Sequence, residues 1–165
     1  MLCYSMRLDE INKSLSDFPA LNIYEKFYGL TTKDLGLYSL VDSKIAGAVW
    51  IRLLRAEQNA MGYVDANTPI LNIAVIPELR GKGIGFAMLD QFLQEAAVVF
   101  SQISVSILQD SQAVKLFEKF GFTKIEASEG KSPVDGSPVF TMLKKLEQKE
   151  LIRPTDGYDP RRWMD

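Results

Sequence analysis

LNIAVIPELRGKGIG, residues 71–85, changes character twice along its length. Ile70–Ile76 is an apolar, β-prone run interrupted only by Asn72, and Pro77 closes it. Glu78–Gly85 is a turn punctuated by glycine, with Arg80 and Lys82 as its cations. From Ile84 onward Met88, Leu89, Phe92, Leu93 and Ala96 recur at helical spacing. The stretch therefore predicts a strand, a tight glycine loop and a helix. Gly81, Gly83 and Gly85 accept backbone angles that other residues resist and let a ligand approach the main chain. Unpaired amides at a helix start favour an anion, and Arg80 and Lys82 add charged donors. A phosphate or pyrophosphate suits such a loop, although the same glycines can serve only as a flexible helix entry. Two nucleotide patterns fail on spacing. Gly85 is followed by Phe86 rather than by Lys and Ser/Thr, and Gly81, Gly83 and Gly85 do not fit G-x-G-x-x-G.

A chain of 165 residues with 47% hydrophobic and 24% charged content is expected to form one domain with a substantial core. The formal charge of -2 offers nothing for nucleic acid or an anionic membrane, and no run approaches the length of a membrane span. Cys3 is the sole cysteine and histidine is absent. That excludes an internal disulfide, a histidine triad and a histidine metal site, and it fits a cytoplasmic setting. No metal site is expected. Cys3 reads as a small buried hydrophobe rather than a nucleophile.

Outward from the opening stretch, Leu2–Met6 reads as a first strand. Asp9 and Glu10 open a helical pattern through Ile11 and Leu15. A second helix face follows with Leu21, Tyr24, Phe27 and Tyr28 and ends at Gly29. Gly36–Val41 and Lys44–Leu54 predict a hairpin turning at Asp42-Ser43, and Met61–Val64 is a doubtful short strand. Gln102–Leu108 alternates with a period of two and predicts a strand. Ser111–Phe120 carries a helical stripe stopped by Gly121. Phe122–Ala127 and Val139–Leu143 read as strands around a loop at Glu129–Ser137. The domain is expected over 1–146, with a charged tail over 147–165 in which Tyr158 and Trp163 are possible anchors. The order predicts an α/β domain with a mixed sheet. The strands either side of the long helix should run parallel.

Arg80-Gly81-Lys82-Gly83-Ile84-Gly85 resembles the R/Q-x-x-G-x-G/A loop of the GNAT N-acetyltransferase family. Asp110–Phe122, DSQAVKLFEKFGF, is similar to that family's later segment N-x-x-A-x-x-L-Y-x-K-x-G-F. Ala113, Leu116, Lys119, Gly121 and Phe122 match, while Asp110 replaces the usual asparagine and Phe117 a frequent tyrosine. The resemblance runs from about Leu35 to Leu146. It implies a GNAT-like acyl-CoA N-acyltransferase fold: a central mixed, mostly antiparallel sheet flanked by helices, with splayed parallel central strands. It also implies acetyl-CoA as cofactor and coenzyme A as product. Amides of Arg80, Gly81, Lys82, Gly83, Ile84 and Gly85 would hold the pyrophosphate. Ile73, Ala74 and Val75 would lie along the pantetheine and thioester, with Asp110, Ala113 and Phe117 bordering the cofactor. The acceptor would be an amine-bearing small molecule or protein, beside Asn72 and the aromatics Tyr24, Phe27 and Tyr28, which read either as core residues or as the lining of its pocket. Family members often dimerise, so a homodimer is a further expectation.

Acetyl transfer to an amine needs a positioned thioester, a stabilised carbonyl oxygen, an unprotonated amine and a proton for the departing thiolate. Asn72 stands where the family often has a glutamate base and cannot titrate. Glu57, Asp65 and Tyr63 are the candidate bases or proton relays, each also readable as merely a solvated loop or strand-edge residue. Phe117 has no proton to give, so either Tyr4, Tyr38, Tyr63 or water protonates the thiolate, or it leaves as an anion. Its ring belongs either to the core or beside the sulfur. Asp110 either caps the following helix or borders the cofactor. A catalytically weak or inactive acyl-CoA-binding sensor or interaction module is the alternative reading. A phosphoryl-transfer enzyme would need a magnesium-binding cluster that the loop lacks.

Overall fold

The computed structural model describes residues 1–148. The expected tail beyond 148, with Tyr158 and Trp163, lies outside them. Strands β1 (Leu35–Val41) and β2 (Lys44–Arg52) form the expected hairpin. Asp42 and Ser43 both take positive φ, 49° and 63°, the twist that joins antiparallel strands in a two-residue turn. β2 pairs antiparallel with β3 (Ile70–Val75). β3 leads through the glycine loop into α2 (Ile84–Val99), numbered after a short helix α1 (Leu2–Ser5). β4 (Gln102–Leu108), α3 (Ala113–Lys119), β5 (Thr123–Lys124), β6 (Gly130–Lys131) and β7 (Pro138–Lys145) complete the described chain. Its sheet has seven strands in the order β1-β2-β3-β4-β7-β5, with β6 also on β7. Every pairing is antiparallel except β3 with β4.

Two cores sandwich this sheet. On one side Met88, Leu89, Phe92, Leu93, Ala96 and Ala97 of α2 pack on Val49, Ile51, Leu71 and Ile103, with Phe117 and Phe122 in the same cluster. Burial of each large side chain there contributes about 1.5–3 kcal/mol. The spacing that predicted α2 is thus the spacing of its buried face. On the other side the first two dozen residues cover the sheet: Leu2, Leu8, Leu21 and Tyr24 pack on Trp50, Leu54 and Ile70.

This N-terminal cover departs from expectation. Leu2–Met6 is no strand; Leu2–Ser5 is one helical turn. The two predicted helices are short 3₁₀ turns, Leu8–Ile11, Leu15–Asp17 and Pro19–Tyr24. Phe27, expected on a helix face, has φ 62°. Met61–Val64 is a turn rather than a strand, and the Phe122–Ala127 strand shrinks to Thr123–Lys124. Part of the expected loop at 129–137 forms β6. At the other end, Leu146 is buried in the α2 core and its N–H donates to Ser101 O at 2.8 Å, so the folded body reaches at least that far.

Candidate active site

β3 and β4 share a single ladder pair, Ile70 with Ser104. Ser104 N–H donates to Pro69 O there at 3.0 Å. Beyond that pair the strands part toward the glycine loop. The pleat decides which main-chain groups face the gap. Ile76 N–H bonds to Ala46 O on β2. Backbone groups alternate sides along a strand, so Asn72 and Ala74 also turn to β2, while Ile73 and Val75 turn toward β4. Ala74, expected among the ligand-facing amides, is therefore spent on its β2 partner Ala48. The same logic on β4 turns Ser106 and Leu108 into the gap, because Gln109 N–H bonds to Pro138 on the β7 side.

The gap opens at the glycine loop. Gly81 and Gly83 have φ 75° and 83°, and a Cβ built on either meets nothing within 4 Å. The loop is thus bent left-handed beside open space. The amides of Gly81, Lys82, Gly83, Ile84, Gly85 and Phe86 have no hydrogen-bond acceptor among the described residues. They form the start of α2, where the helix dipole adds to their pull on an anion. Lys82 is exposed and makes no ion pair among the described residues. Arg80 is turned elsewhere. Its Nε donates to Val75 O at 3.0 Å, its Nη1 to Glu10 at 3.2 Å, and its Nη2 lies 3.6 Å from Asp9. Glu10 is also paired with Arg7 at 2.7 Å. Bonding to Arg7, with Arg80 nearby, holds the Glu10 carboxyl below its ordinary value, and Arg7 is raised in turn. Arg80 therefore fastens the N-terminal cover to the end of β3.

A cavity of about 330 Å³ occupies the gap. Ile73, Ser106, Ile107, Asp110, Ala113 and Phe117 line it from the strands and α3, whereas none of Ala74, Val75 and Arg80–Gly85 does. Met6, Arg7, Glu10 and Tyr24 line it from the N-terminal cover, Met61 from the turn before β3, and Asn72 from β3 itself. Asn72 is 6% exposed, and its Nδ2 is buried without a partner. Phe117 is 1% exposed, edge-on to Phe122 with ring centroids 5.0 Å apart, and it also walls the cavity. Asp110 does not cap α3. Ala113 N–H donates to Ser111 Oγ at 3.2 Å instead, leaving Asp110 exposed at the cavity mouth.

The expected acceptor aromatics separate. Tyr24 lines the cavity; Phe27 is exposed; Tyr28 lies in a different hollow, with Tyr38 and Trp50. Tyr24 Oη accepts from Met61 N–H at 2.7 Å, and burial pushes its pKa up to about 12. None of Glu57, Tyr63 and Asp65 lines the cavity. Glu57 is exposed in a 3₁₀ turn, Ala56–Gln58. Asp65 accepts from Asn67 N–H, Thr68 Oγ1 and Gln102 Nε2, bonds that organise the loop before β3. Sequence reasoning missed Arg7, Glu10 and Met61. In the sequence Glu10 stands beside Asp9 at a helix start and Arg7 carries no signal; only the folding of residues 1–11 across the gap brings the pair to the site.

The family model described as "Acetyltransferase (GNAT) domain" matches residues 36–124, from β1 through β5. No curated protein matches the chain in sequence. Solved structures share the fold. A GCN5-related N-acetyltransferase from Kribbella flavida superposes with a TM-score of 0.63 at 18% identity, covering 88% of this chain and 90% of its own. The GNAT acetyltransferase of Streptococcus pneumoniae gives 0.59 at 20%, covering 76% and 72%. The yncA protein of Salmonella typhimurium, solved with its cofactor acetyl-CoA, gives 0.56 at 19%, covering 69% and 65%. With its splayed parallel strands, its glycine-loop helix start and a family match over more than half its length, this chain belongs to the GNAT acetyltransferase domain family.

Proposed function

We propose that the protein transfers an acetyl group from acetyl-CoA to a primary amine of a small molecule or protein, by direct attack with both bound. The observation that carries this reading is the open edge of β3, which runs straight into the unpartnered amides of the glycine loop. A pyrophosphate needs converging donors and room; the amides of Gly81–Phe86 offer the first, and the bare positions at Gly81 and Gly83 the second. Lys82 adds charge. An extended arm with its own amides can pair with Ile73 and Val75 as an added strand would. Asp110, Ala113 and Phe117 border the same path.

Acetyl-CoA supplies an activated acyl group: an N–C bond forms, the C–S bond breaks, and one proton passes on balance from amine to coenzyme A thiol. The chain's part is to position and to exclude water. Ile73 N–H faces the gap and is the donor we assign to the thioester carbonyl. Tyr24 stays neutral at physiological pH, so it shapes the acceptor chamber and takes no proton. Since Glu57, Tyr63 and Asp65 stand off the cavity, we assign the amine's proton to water at the mouth, where Glu10, Asp110 and Asp135 gather. Phe117 leaves the thiolate to be protonated by water.

The test is calorimetry with acetyl-CoA followed by an amine panel read by coenzyme A release. Binding with amine-dependent release is expected. No binding overturns the cofactor assignment. Binding without release from any amine would instead favour the sensor or interaction reading.

A further inference from the structure

The buried stripe of α2 is Met88, Leu89, Phe92, Leu93, Ala96 and Ala97, and Phe86 stands off it. Its ring is 50% exposed in the first turn of the helix, where it adds little to the core. A second ring backs it. Phe120, half-buried at the C-terminal cap of α3, lies against Phe86 with ring centroids 4.8 Å apart and planes tilted by 42°. Gly85 lets the two helices meet: a Cβ built there would already touch Leu116 Cδ2 of α3 at 3.9 Å and Val75 Cγ2 of β3 at 3.8 Å. Side chains on a helix lean toward its N-terminus, so the Phe86 ring covers the turn that carries the unpartnered amides of the glycine loop. An exposed aromatic pair beside an anion-binding helix start points to a ligand with a charged part and a flat, apolar part next to it. Neither ring is called for by the family segments. Phe86 follows the last position of R/Q-x-x-G-x-G/A, and Phe120 falls on the free position of K-x-G-F.

We propose that Phe86, backed by Phe120, is the stacking platform for the adenine base of acetyl-CoA. This rests on the acetyl-CoA reading above. A single ribose joins that base to the pyrophosphate. A pyrophosphate held on the amides of Gly81–Phe86 therefore leaves the base beside the first turn of α2, while the acyl arm runs the other way, between β3 and β4. A base stacked on an aromatic ring gains affinity through its π face, with no hydrogen bond to its edge. Neither ring lines the cavity, so the platform adds binding and takes no part in the chemistry.

The experiment compares acetyl-CoA with acetyl-phosphopantetheine, which keeps the thioester arm and one phosphate but lacks the adenosine. Calorimetry is run on the wild type, Phe86→Ala and Phe86→Trp. Phe86→Ala should bind acetyl-CoA about tenfold more weakly, the loss of one base–aromatic stack, and the truncated donor as tightly as wild type does. Phe86→Trp should keep the affinity for acetyl-CoA. Its fluorescence should be quenched by adenosine 3′,5′-bisphosphate beyond any change in the wild type, whose two tryptophans set the baseline. A folded Phe86→Ala that loses as much affinity for the truncated donor, or none for acetyl-CoA, overturns the proposal. An unquenched Phe86→Trp overturns it as well, and this reading remains open to test if the alanine variant does not fold. So does a wild-type dimer that Phe86→Ala splits in sedimentation, because the rings then cover a second copy of the chain. All these outcomes leave the acetyl-CoA reading standing. A wild type that binds neither donor overturns that reading, and this proposal with it.

Discussion

Lys82 and Arg80 flank Gly81 and look equivalent in sequence, yet their surroundings divide their roles. Lys82 is exposed and free to meet a phosphate, whereas Arg80 is held by Val75 O, Glu10 and Asp9. Lys82→Ala should weaken acetyl-CoA binding by about 1 kcal/mol at low salt and by less at high salt. Calorimetry at two ionic strengths reads this; equal losses at both would contradict it. Arg80→Ala should lower the melting temperature as well, since it unfastens residues 9 and 10. Tyr24 gives the molecule a pH limit. Burial raises its pKa from 10.0 to about 12, so the folded state holds the phenolic proton more tightly than the unfolded chain does. The resulting stabilisation is complete below pH 10 and is lost as pH rises through about 12. Chemical denaturation across that range should show stability falling, with a smaller fall in Tyr24→Phe. Neither assignment was open to sequence reasoning, because the groups that settle Arg80 and Tyr24 lie 70 and 37 residues away.

Among elements, those with a long repeating pattern were legible, and those shaped by tertiary contact were not. The alternation over Gln102–Leu108 and the stripe from Met88 to Ala96 each repeat enough to name a strand and a helix. Leu2–Met6 offers an apolar run too short to show any period, and its one buried residue, Leu2, finds its place only against Trp50 and the sheet. The glycine loop was legible because glycine is the residue its backbone demands. Gly83 precedes α2 at φ 83°, where a Cβ strains the chain by about 1–2 kcal/mol yet clashes with nothing. Gly83→Ala should therefore fold with a modestly lower melting temperature. Its new methyl group projects into the open space beside the free amides, so acetyl-CoA affinity should fall more than stability does. A folded variant with unchanged affinity by calorimetry would remove the loop from the cofactor site.

At the scale of the whole molecule, the sheet is two antiparallel blocks, β1-β2-β3 and β4-β7-β5, joined by one ladder pair and by the α2 core beneath. The family motifs announced that seam; the patterns over residues 2–28 misled, because the cover takes its order from the sheet it packs on. The seam makes a prediction at single-residue resolution. Along β3 the amides of Asn72 and Ala74 are bonded to β2, while those of Ile73 and Val75 face the gap. In ligand-free protein, amide hydrogen exchange followed by NMR should alternate: slow at Asn72 and Ala74, fast at Ile73 and Val75, although these are consecutive residues of one central strand. Acetyl-CoA at a hundredfold excess over its Kd should stabilise the whole fold by about 2.7 kcal/mol, and every globally protected amide should slow accordingly. Ile73 should slow by more than that common factor, because it gains a direct acceptor. If Ile73 is already as protected as Ala74 without ligand, the two blocks are closed along their length and the gap is no entry for an acyl chain. If the common factor appears but Ile73 gains nothing beyond it, acetyl-CoA binds without using the β3 edge, and the carbonyl must find its donor on Ser106 or Leu108 across the seam.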